Sequence, residues 1–337
     1  MPQTFLELRC NTLTPIWTGD VDGDAGKEVF ATSVLGGLRW WYEALLRGVM
    51  ARIPDVTETK PRFDAAKGPD ALDPACRLFG ATGWRRRFRL DVDSSRMAKA
   101  RIATRIPSTH KSWYFKSQPL EGEFGISVTS LDPNLPAVET IHELLTFAAA
   151  WGSLGARPQM GFGLFRLDRA ATGELAGAMA KHKFWGNPEK RVMDGGMPAL
   201  HNMFFARVGP RPGAPFDETT TFQIKRGIRE LFRQNEGLRH FLAGHIQAGS
   251  DDRNGSKIFV SRFYPAKAGK EIRVWGWYPR DENGYANERG VALQQIYGFL
   301  KTAFQLRQWK EVGSKERDRE FVASPLAFFR KLMASES

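Results

Sequence analysis

The chain has 337 residues, of which 42% are hydrophobic. This length suits one large or two medium domains, each with a buried core. Its 49 Lys and Arg residues outnumber its 37 Asp and Glu residues and give a formal net charge of +12. Such a charge favours an anionic polymer as partner, nucleic acid before a membrane, because the sequence contains no basic amphipathic anchor. No apolar stretch approaches about 18 residues and no signal-peptide pattern begins the chain, so we predict a cytoplasmic protein without a membrane partner.

The first half, residues 1–170, is predicted to contain two helices and several strands. A strand at 5–14 is followed by a loop and by a helix at 34–47, in which apolar residues recur every three and four positions. Strands are then predicted at 88–92, 100–106 and 124–131, a second apolar helix at 139–151, and a last strand at 163–167. The order is β-α-β-β-α-β with insertions, as in a ferredoxin-like domain.

The second half, residues 201–337, follows a predicted linker or insertion at 171–200. A strand is predicted at 202–208, a helix capped by Thr221 at 222–235, strands at 257–264 and 271–278, and a helix at 291–307. The triplet Gly-Leu-Arg at 37–39 is echoed by Gly-Ile-Arg at 227–229, each in the helix that follows a half's opening strand. No fourth strand is evident, because residues 324–333 are typical of a helix. The predicted class is α+β, with two ferredoxin-like, RRM-related domains in tandem.

A Gly-rich segment, residues 152–163, lies between the second helix and the last strand of the first half. It holds four glycines and Arg157, but it is neither a Walker A nor a dinucleotide motif. Glycine has no Cβ and tolerates positive φ, so such a segment is a tight turn or a place where another backbone comes close. We predict that Gly155, Arg157, Gly161 and Gly163 contact an RNA backbone.

Basic residues interleaved with aromatic residues mark three further candidate RNA-binding surfaces, because a guanidinium pairs with phosphate and stacks on bases. The first is the arginine tract at 84–89, the second is the basic tract at 96–116, and the third is a stripe on the helix at 222–235. Arg39, in the first helix, is assigned equally to RNA contact or to an ion pair with Glu43. The predicted contacts from these elements are Arg39, Arg85, Arg86, Arg87, Arg89, Arg101, Arg105, His110, Lys111, Trp113, Lys225, Arg229 and Arg233.

Signatures of catalysis and metal binding are missing from the sequence. Cys10 and Cys76 have no partner at metal-ligand spacing and are predicted to be buried thiols. The aspartates within residues 20–24 resemble the start of a calcium loop, but alanine stands in place of its turn glycine. No HExxH or GxSxG motif occurs. We therefore predict no cofactor, no metal, no small-molecule substrate and no enzymatic activity.

Several motifs in a fixed order resemble the RAMP superfamily of CRISPR proteins. They are residues 13–19 (LTPIWTG), 33–45 (SVLGGLRWWYEAL), 78–80 (LFG) and 154–163 (LGARPQMGFG). The tryptophan-bearing helix, with 255–258 (GSKI) and 274–277 (VWGW), more narrowly resembles the first RAMP subunit of type III-B (Cmr) effector complexes. The resemblance implies a non-catalytic subunit that binds guide RNA near its 3′ end or target RNA, beside other RAMP subunits. Arg39 and Arg157 match the basic positions that the family uses.

One departure from the family pattern lowers the expected charge of the Gly-rich segment. Gln159 and Met160 stand where related loops often carry basic residues. We therefore expect the segment to act together with the arginine tract at 84–89.

Two alternatives to a non-catalytic RNA-binding subunit follow from the same residues. A RAMP endoribonuclease would use His110, or one of Asp20, Asp22 and Asp24 with a metal-bound water, to cut guide precursor or target RNA. A general single-stranded RNA-binding protein would have the same charge and no dedicated complex.

Overall fold

The computed structural model describes residues 3–19, 26–49, 62–101, 118–171, 197–246, 253–266, 269–278, 288–312, 314–318 and 324–334. The elements of the first half are β1 (Phe5–Thr12), α1 (Ala31–Val49), α2 (Pro74–Phe79), β2 (Phe88–Asp93), β3 (Met97–Lys99), β4 (Leu120–Ser130), α3 (Ala137–Trp151) and β5 (Phe165–Leu167). Those of the second half are β6 (Met203–Gly209), α4 (Thr220–Leu231), α5 (Glu236–Ala243), β7 (His245–Ile246), β8 (Arg253–Asn254), β9 (Ile258–Ala266), β10 (Gly269–Trp277), α6 (Arg289–Ala303), β11 (Gln305–Glu311) and α7 (Pro325–Ala334).

The first sheet has the strand order β2-β4-β1-β5, with β3 paired to β4. All of its pairs are antiparallel, and Leu8 of β1 lies opposite Ile126 of β4. Alternate side chains of β1 are buried, as expected for a strand with one face on the core. Helices α1 and α3 cover this buried face.

The second sheet repeats this arrangement, with the order β11-β6-β10-β9 and antiparallel pairs throughout. Leaving aside the short hairpin of β7 and β8 and the helix α5, its elements follow the order β-α-β-β-α-β, as in the first half. Helices α4 and α6 pack on one face through Ile228 and Ile296, which join Val208 and Val274 in a core cluster.

The other face of the second sheet packs against the helices of the first half. Phe205 and Trp275 belong to the same core cluster as Leu8 and Ile126 of the first sheet. Phe147 of α3 lies 6.2 Å from Phe205 between ring centroids. Helices α1 and α3 therefore lie between the two sheets, which explains why α3 is buried on almost every side.

The predicted α+β class is confirmed, whereas the helix predicted at 291–307 is wrong at its end. Helix α6 stops at Ala303, and residues 305–311 form β11, the fourth strand that the sequence did not reveal. Its alternation is broken by a register shift between Leu306 and Gln308, which removes the period-two pattern.

Three further differences concern element ends and coverage. The helix predicted at 222–235 ends at Leu231 and is followed by the separate helix α5, and its N-cap is Thr219 rather than Thr221. Most of the strand predicted at 100–106 lies outside the described residues, as does most of the linker predicted at 171–200. The domain boundaries stay a prediction. Within the described ranges, none of the helices combines the length and the apolar character needed to cross a membrane.

Candidate nucleic-acid interface

The Gly-rich segment forms a compact turn between α3 and β5, as predicted. Leu154 donates a backbone hydrogen bond to Gly163, and Ala156 donates one to Trp17, at 2.9 and 2.8 Å. A single 3-10 turn covers Pro158–Met160. It is flanked by Arg157 and Gly161, which both adopt left-handed backbone angles, with φ of 66° and 74°.

Three glycines of the segment allow close contact with this chain's own backbone. A Cβ added to Gly155 would lie 2.2 Å from the Trp17 carbonyl oxygen, and one added to Gly163 would lie 1.9 Å from the Leu154 carbonyl oxygen. At Gly161 the nearest atom would be the backbone nitrogen of Arg262 in β9, at 2.5 Å. The glycines thus serve internal packing, including contact between the halves. Their predicted contact with RNA stays a prediction.

Three cationic side chains converge on this turn, and we call them the turn cations: Arg157, Lys225 and Arg262. The Arg157 guanidinium lies over the Trp17 ring, 4.8 Å from its centroid. The Lys225 ammonium, from α4, donates a hydrogen bond to the Gln159 carbonyl oxygen. The Arg262 guanidinium lies 4.9 Å from the centroid of Phe162. Two of the three cations therefore come from the second half and reach a turn of the first.

The surroundings of the turn cations disfavour their charged forms. Burial lowers the pKa of Lys225 to about 8 and also lowers the pKa of the Arg157 guanidinium. Burial lowers the pKa of Arg262 as well, and the negative charge of Glu218 opposes that shift. A partly buried cation is stabilised by an opposite charge, so this group favours an incoming anion.

Beside the turn, α1 and the second sheet enclose a cleft of about 770 Å³. We call it the aromatic cleft, and its rings are Trp40, Trp41, Phe259, Trp275 and Trp277. Its remaining lining residues are Gly37, Gly152, Ser153, Gly155, Pro158, Gln159, Gly255, Ser256 and Lys257. The Gly-rich segment therefore forms one wall of the cleft, and the turn cations lie beside that wall.

The rings from the second sheet are close to parallel. Trp275 and Phe259 are cross-strand neighbours, with centroids 4.1 Å apart and an interplanar angle of 2°. Trp277 lies two residues along the same face and is tilted by 25° from Phe259. Trp40 of α1 faces this group, at 5.9 Å from Trp277. Alternation along β10 places both tryptophans on one face of the sheet.

The open face of the first sheet does not provide a comparable aromatic platform. Its outward positions on β1, β2, β4 and β5 are Phe5, Glu7, Arg9, Asn11, Arg89, Asp91, Asp93, Glu121, Glu123, Gly125, Ser127, Thr129 and Arg166. Five of these residues are acidic, three are basic, and Phe5 is the aromatic one. A face of this composition does not favour stacking of RNA bases or attraction of their phosphates.

The arginine tract at 84–89 is divided between internal and exposed roles. Arg86 donates to the Phe88 carbonyl oxygen at 2.8 Å, and Arg87 lies over the Trp84 ring at 3.6 Å. Arg85 is exposed, and Arg89 pairs with Asp91 at 2.8 Å on the open face of the first sheet.

Arg39 forms contacts within the first half. Its guanidinium donates to Glu43 at 2.8 Å, to the Gly80 carbonyl oxygen at 3.1 Å and to the Cys76 sulfur at 3.4 Å. The predicted ion pair with Glu43 is therefore present, and RNA contact by Arg39 stays a prediction.

The remaining predicted contacts are dispersed. Arg101, Arg229 and Arg233 are exposed. Arg229 lies on the same helix as Lys225, but neither Arg229 nor Arg233 belongs to the turn cations. Arg105, His110, Lys111 and Trp113 lie outside the described residues, as do Asp20, Asp22 and Asp24. Elsewhere in the described part of the chain, no three His, Cys, Asp or Glu side chains come together as ligands for a metal ion. Both cysteines are buried and free, as predicted.

Sequence reasoning missed Arg262 and the pairing of Phe259 with Trp275. Arg262 is the single charged residue of β9, so no charge pattern marks it. The alternation of tryptophans at 275 and 277 is a visible signal for one aromatic face. What that face meets depends on where α1 lies.

The fold of this chain is similar to that of solved protein structures. The chain matches the crystal structure of apo Cmr1 from Pyrococcus furiosus with a TM-score of 0.51 and 15% identity, over 90% of this chain and 98% of that one. Chains from two cryo-EM structures of the type III-B Cmr-beta complex bound to cognate target RNA match with TM-scores of 0.49 and 0.47 and identities of 10% and 9%. Each match covers 88% of this chain and 100% of the other. The shared fold rests on the Pyrococcus protein, because the other scores lie below 0.5.

No curated protein matches the sequence significantly. The model of the RAMP superfamily matches residues 9–166, a span that contains the end of β1, then α1, β2 to β4, α3 and the Gly-rich turn. The first half of the chain is therefore similar to proteins of the RAMP superfamily.

Proposed function

We propose that this chain is a non-catalytic RNA-binding subunit of a type III-B CRISPR ribonucleoprotein effector. It contacts guide RNA near the 3′ end of the guide, target RNA, or both, and it assembles with other RAMP subunits. Each half acts as a ferredoxin-like unit, in keeping with the shared strand order of the two sheets.

The convergence of the turn cations carries this proposal. Three cationic side chains from both halves meet at one turn, where burial disfavours their charge. A phosphodiester brings a negative charge to this group without a proton transfer, and a strand of RNA brings several in sequence. The net charge of +12 adds long-range attraction for the same polymer.

The match of residues 9–166 to the RAMP superfamily model and the fold shared with Cmr1 support the choice of a CRISPR effector over a general RNA-binding protein. Copurification separates these two functions. Guide RNA with a uniform repeat-derived end supports a dedicated complex, whereas mixed cellular RNA supports a general binder.

Salt dependence of RNA binding tests the proposal. Anisotropy of a labelled single-stranded RNA, with and without guide and sister subunits, should give a log-log slope of about −0.7 per neutralised phosphate. Arg262→Gln should make the slope shallower by about 0.7. Arg9→Gln, on the open face of the first sheet, is the matched control and should leave the slope unchanged. A slope independent of salt, or no binding in the presence of guide and sister subunits, would refute the proposal.

The non-catalytic assignment has its own test. Incubation of the pure protein with labelled RNA should leave the RNA intact. Cleavage that disappears in His110→Ala or Asp22→Ala would support the endoribonuclease alternative instead.

A further inference from the structure

The interior of the aromatic cleft presents flat apolar rings and no exposed charge among its described lining residues. Lys257 is the charged residue of the lining, and its ammonium lies 4.1 Å from the centroid of Phe241 and donates to the Phe241 carbonyl oxygen at 3.3 Å. It is thereby turned into the core of the second half. Phe259 and Trp277 are partly exposed and close to parallel, so a planar ligand can extend their stack.

The rim of the cleft differs from its interior, because it adjoins cations. Gln159 and Pro158 line the cleft, Lys225 donates to the Gln159 carbonyl oxygen, and Arg157 precedes Pro158. The occupant that fits is therefore a neutral flat ring joined to a negative charge. A nucleotide has this distribution of charge, whereas an apolar protein side chain does not.

We infer that the aromatic cleft binds one unpaired nucleobase of single-stranded RNA, with the phosphates that flank this base on the turn cations. This inference rests on the proposed function and specifies its ligand: an unstacked base rather than a base within a duplex. The cleft volume of about 770 Å³ lies within the range of about 300–1,000 Å³ that is typical of small-ligand pockets. Stacking on aromatic side chains is tolerant of base identity, so the cleft selects for an unpaired base and not for sequence.

Two neighbouring glycines of α1 provide a matched test. A Cβ added to Gly37 or to Gly36 would meet nothing within 4 Å, so a side chain can begin at both positions without a backbone clash. Gly37 lines the cleft, whereas Gly36 is exposed and does not line it. Leucine at position 37 fills the cleft without offering a stacking ring, and leucine at position 36 reports the effect of the same change on the helix.

The experiment uses the full chain and short single-stranded RNAs in which one adenosine at a time is replaced by 2-aminopurine. Because stacking quenches 2-aminopurine fluorescence, wild type and Gly36→Leu should quench a particular position of the RNA. Gly37→Leu should abolish this quenching and raise the Kd about tenfold. Trp277→Leu, which removes a stacking ring, should likewise reduce the quenching and raise the Kd.

The outcomes separate this inference from the proposed function. Salt-dependent RNA binding with no quenched position, or with equal quenching in Gly37→Leu and Gly36→Leu, would overturn the base pocket and leave the RNA-binding function in place. Loss of assembly with sister subunits in Gly37→Leu, with unchanged quenching, would assign the cleft to a protein side chain. Absence of RNA binding by wild type would remove both.

Discussion

The pH dependence of RNA binding should follow the protonation of Lys225. Burial lowers the pKa of this ammonium to about 8, so about nine-tenths of the molecules carry the charge at pH 7 and about one-tenth at pH 9. A bound phosphate favours the charged form and raises this pKa, so binding is strongest below pH 8. The association constant should therefore fall about tenfold between pH 7 and pH 9, or ~1.4 kcal/mol.

Anisotropy titrations with labelled oligoadenylate at constant ionic strength measure this effect, because the charge of this RNA does not change over that range. Lys225→Arg should bind with little dependence on pH, since an arginine remains protonated. Lys225→Met should also remove the dependence, but at an affinity near that of wild type at high pH. Lys67→Met, at an exposed lysine, is the control and should keep the wild-type profile.

A flat profile for wild type would refute the reasoning that Lys225 contacts phosphate. So would an undiminished tenfold fall in Lys225→Arg, because another group would then be titrating.

Two further predictions concern the turn and the buried ion pair of β10, and urea unfolding checks both. Gly163→Ala should lower the free energy of unfolding by about 3 kcal/mol, because φ is 78° and the new Cβ would lie 1.9 Å from the Leu154 carbonyl oxygen. Gly213→Ala, with φ of 77° and nothing within 4 Å, should cost only about 1 kcal/mol, and equal costs would contradict the role of the contact. Arg273→Leu should cost about 3 kcal/mol, because it removes the guanidinium that lies 3.0 Å from buried Glu271. An unchanged midpoint would show that Arg207 and Arg307, each 3.8 Å from the Glu271 carboxylate, suffice to stabilise it.

Much of the fold follows from local patterns in the sequence. Alternating burial along β1 and β4 appears as alternating side-chain type, and the apolar stripes of α1 and α3 recur at helical spacing. Each of these elements buries one face in the core, so its pattern of apolar residues is visible in the sequence alone. The strand β11 shows the limit: its identity comes from pairing with β6 across a register shift, and its own residues alternate poorly.

The candidate interface was only partly predictable. The sequence singles out Arg157, Lys225 and the Gly-rich segment, but nothing local indicates that Lys225 reaches the turn that carries Arg157. The predicted stripe on α4 is instead divided: Lys225 turns inward to Gln159, while Arg229 remains exposed. The direction of a side chain depends on what the helix packs against, and that information is not local.

The sequence by itself determined the α+β class, the position of the Gly-rich segment between α3 and β5, the basic charge and the resemblance to RAMP proteins. Each of these is a property of composition or of short-range spacing. Only the tertiary structure decided that α1 and α3 lie between two sheets, that Trp40 faces Trp277, and that Arg262 reaches the turn beside Arg157. These contacts join residues far apart in the chain, because the second sheet buries its aromatic face against the helices of the first half.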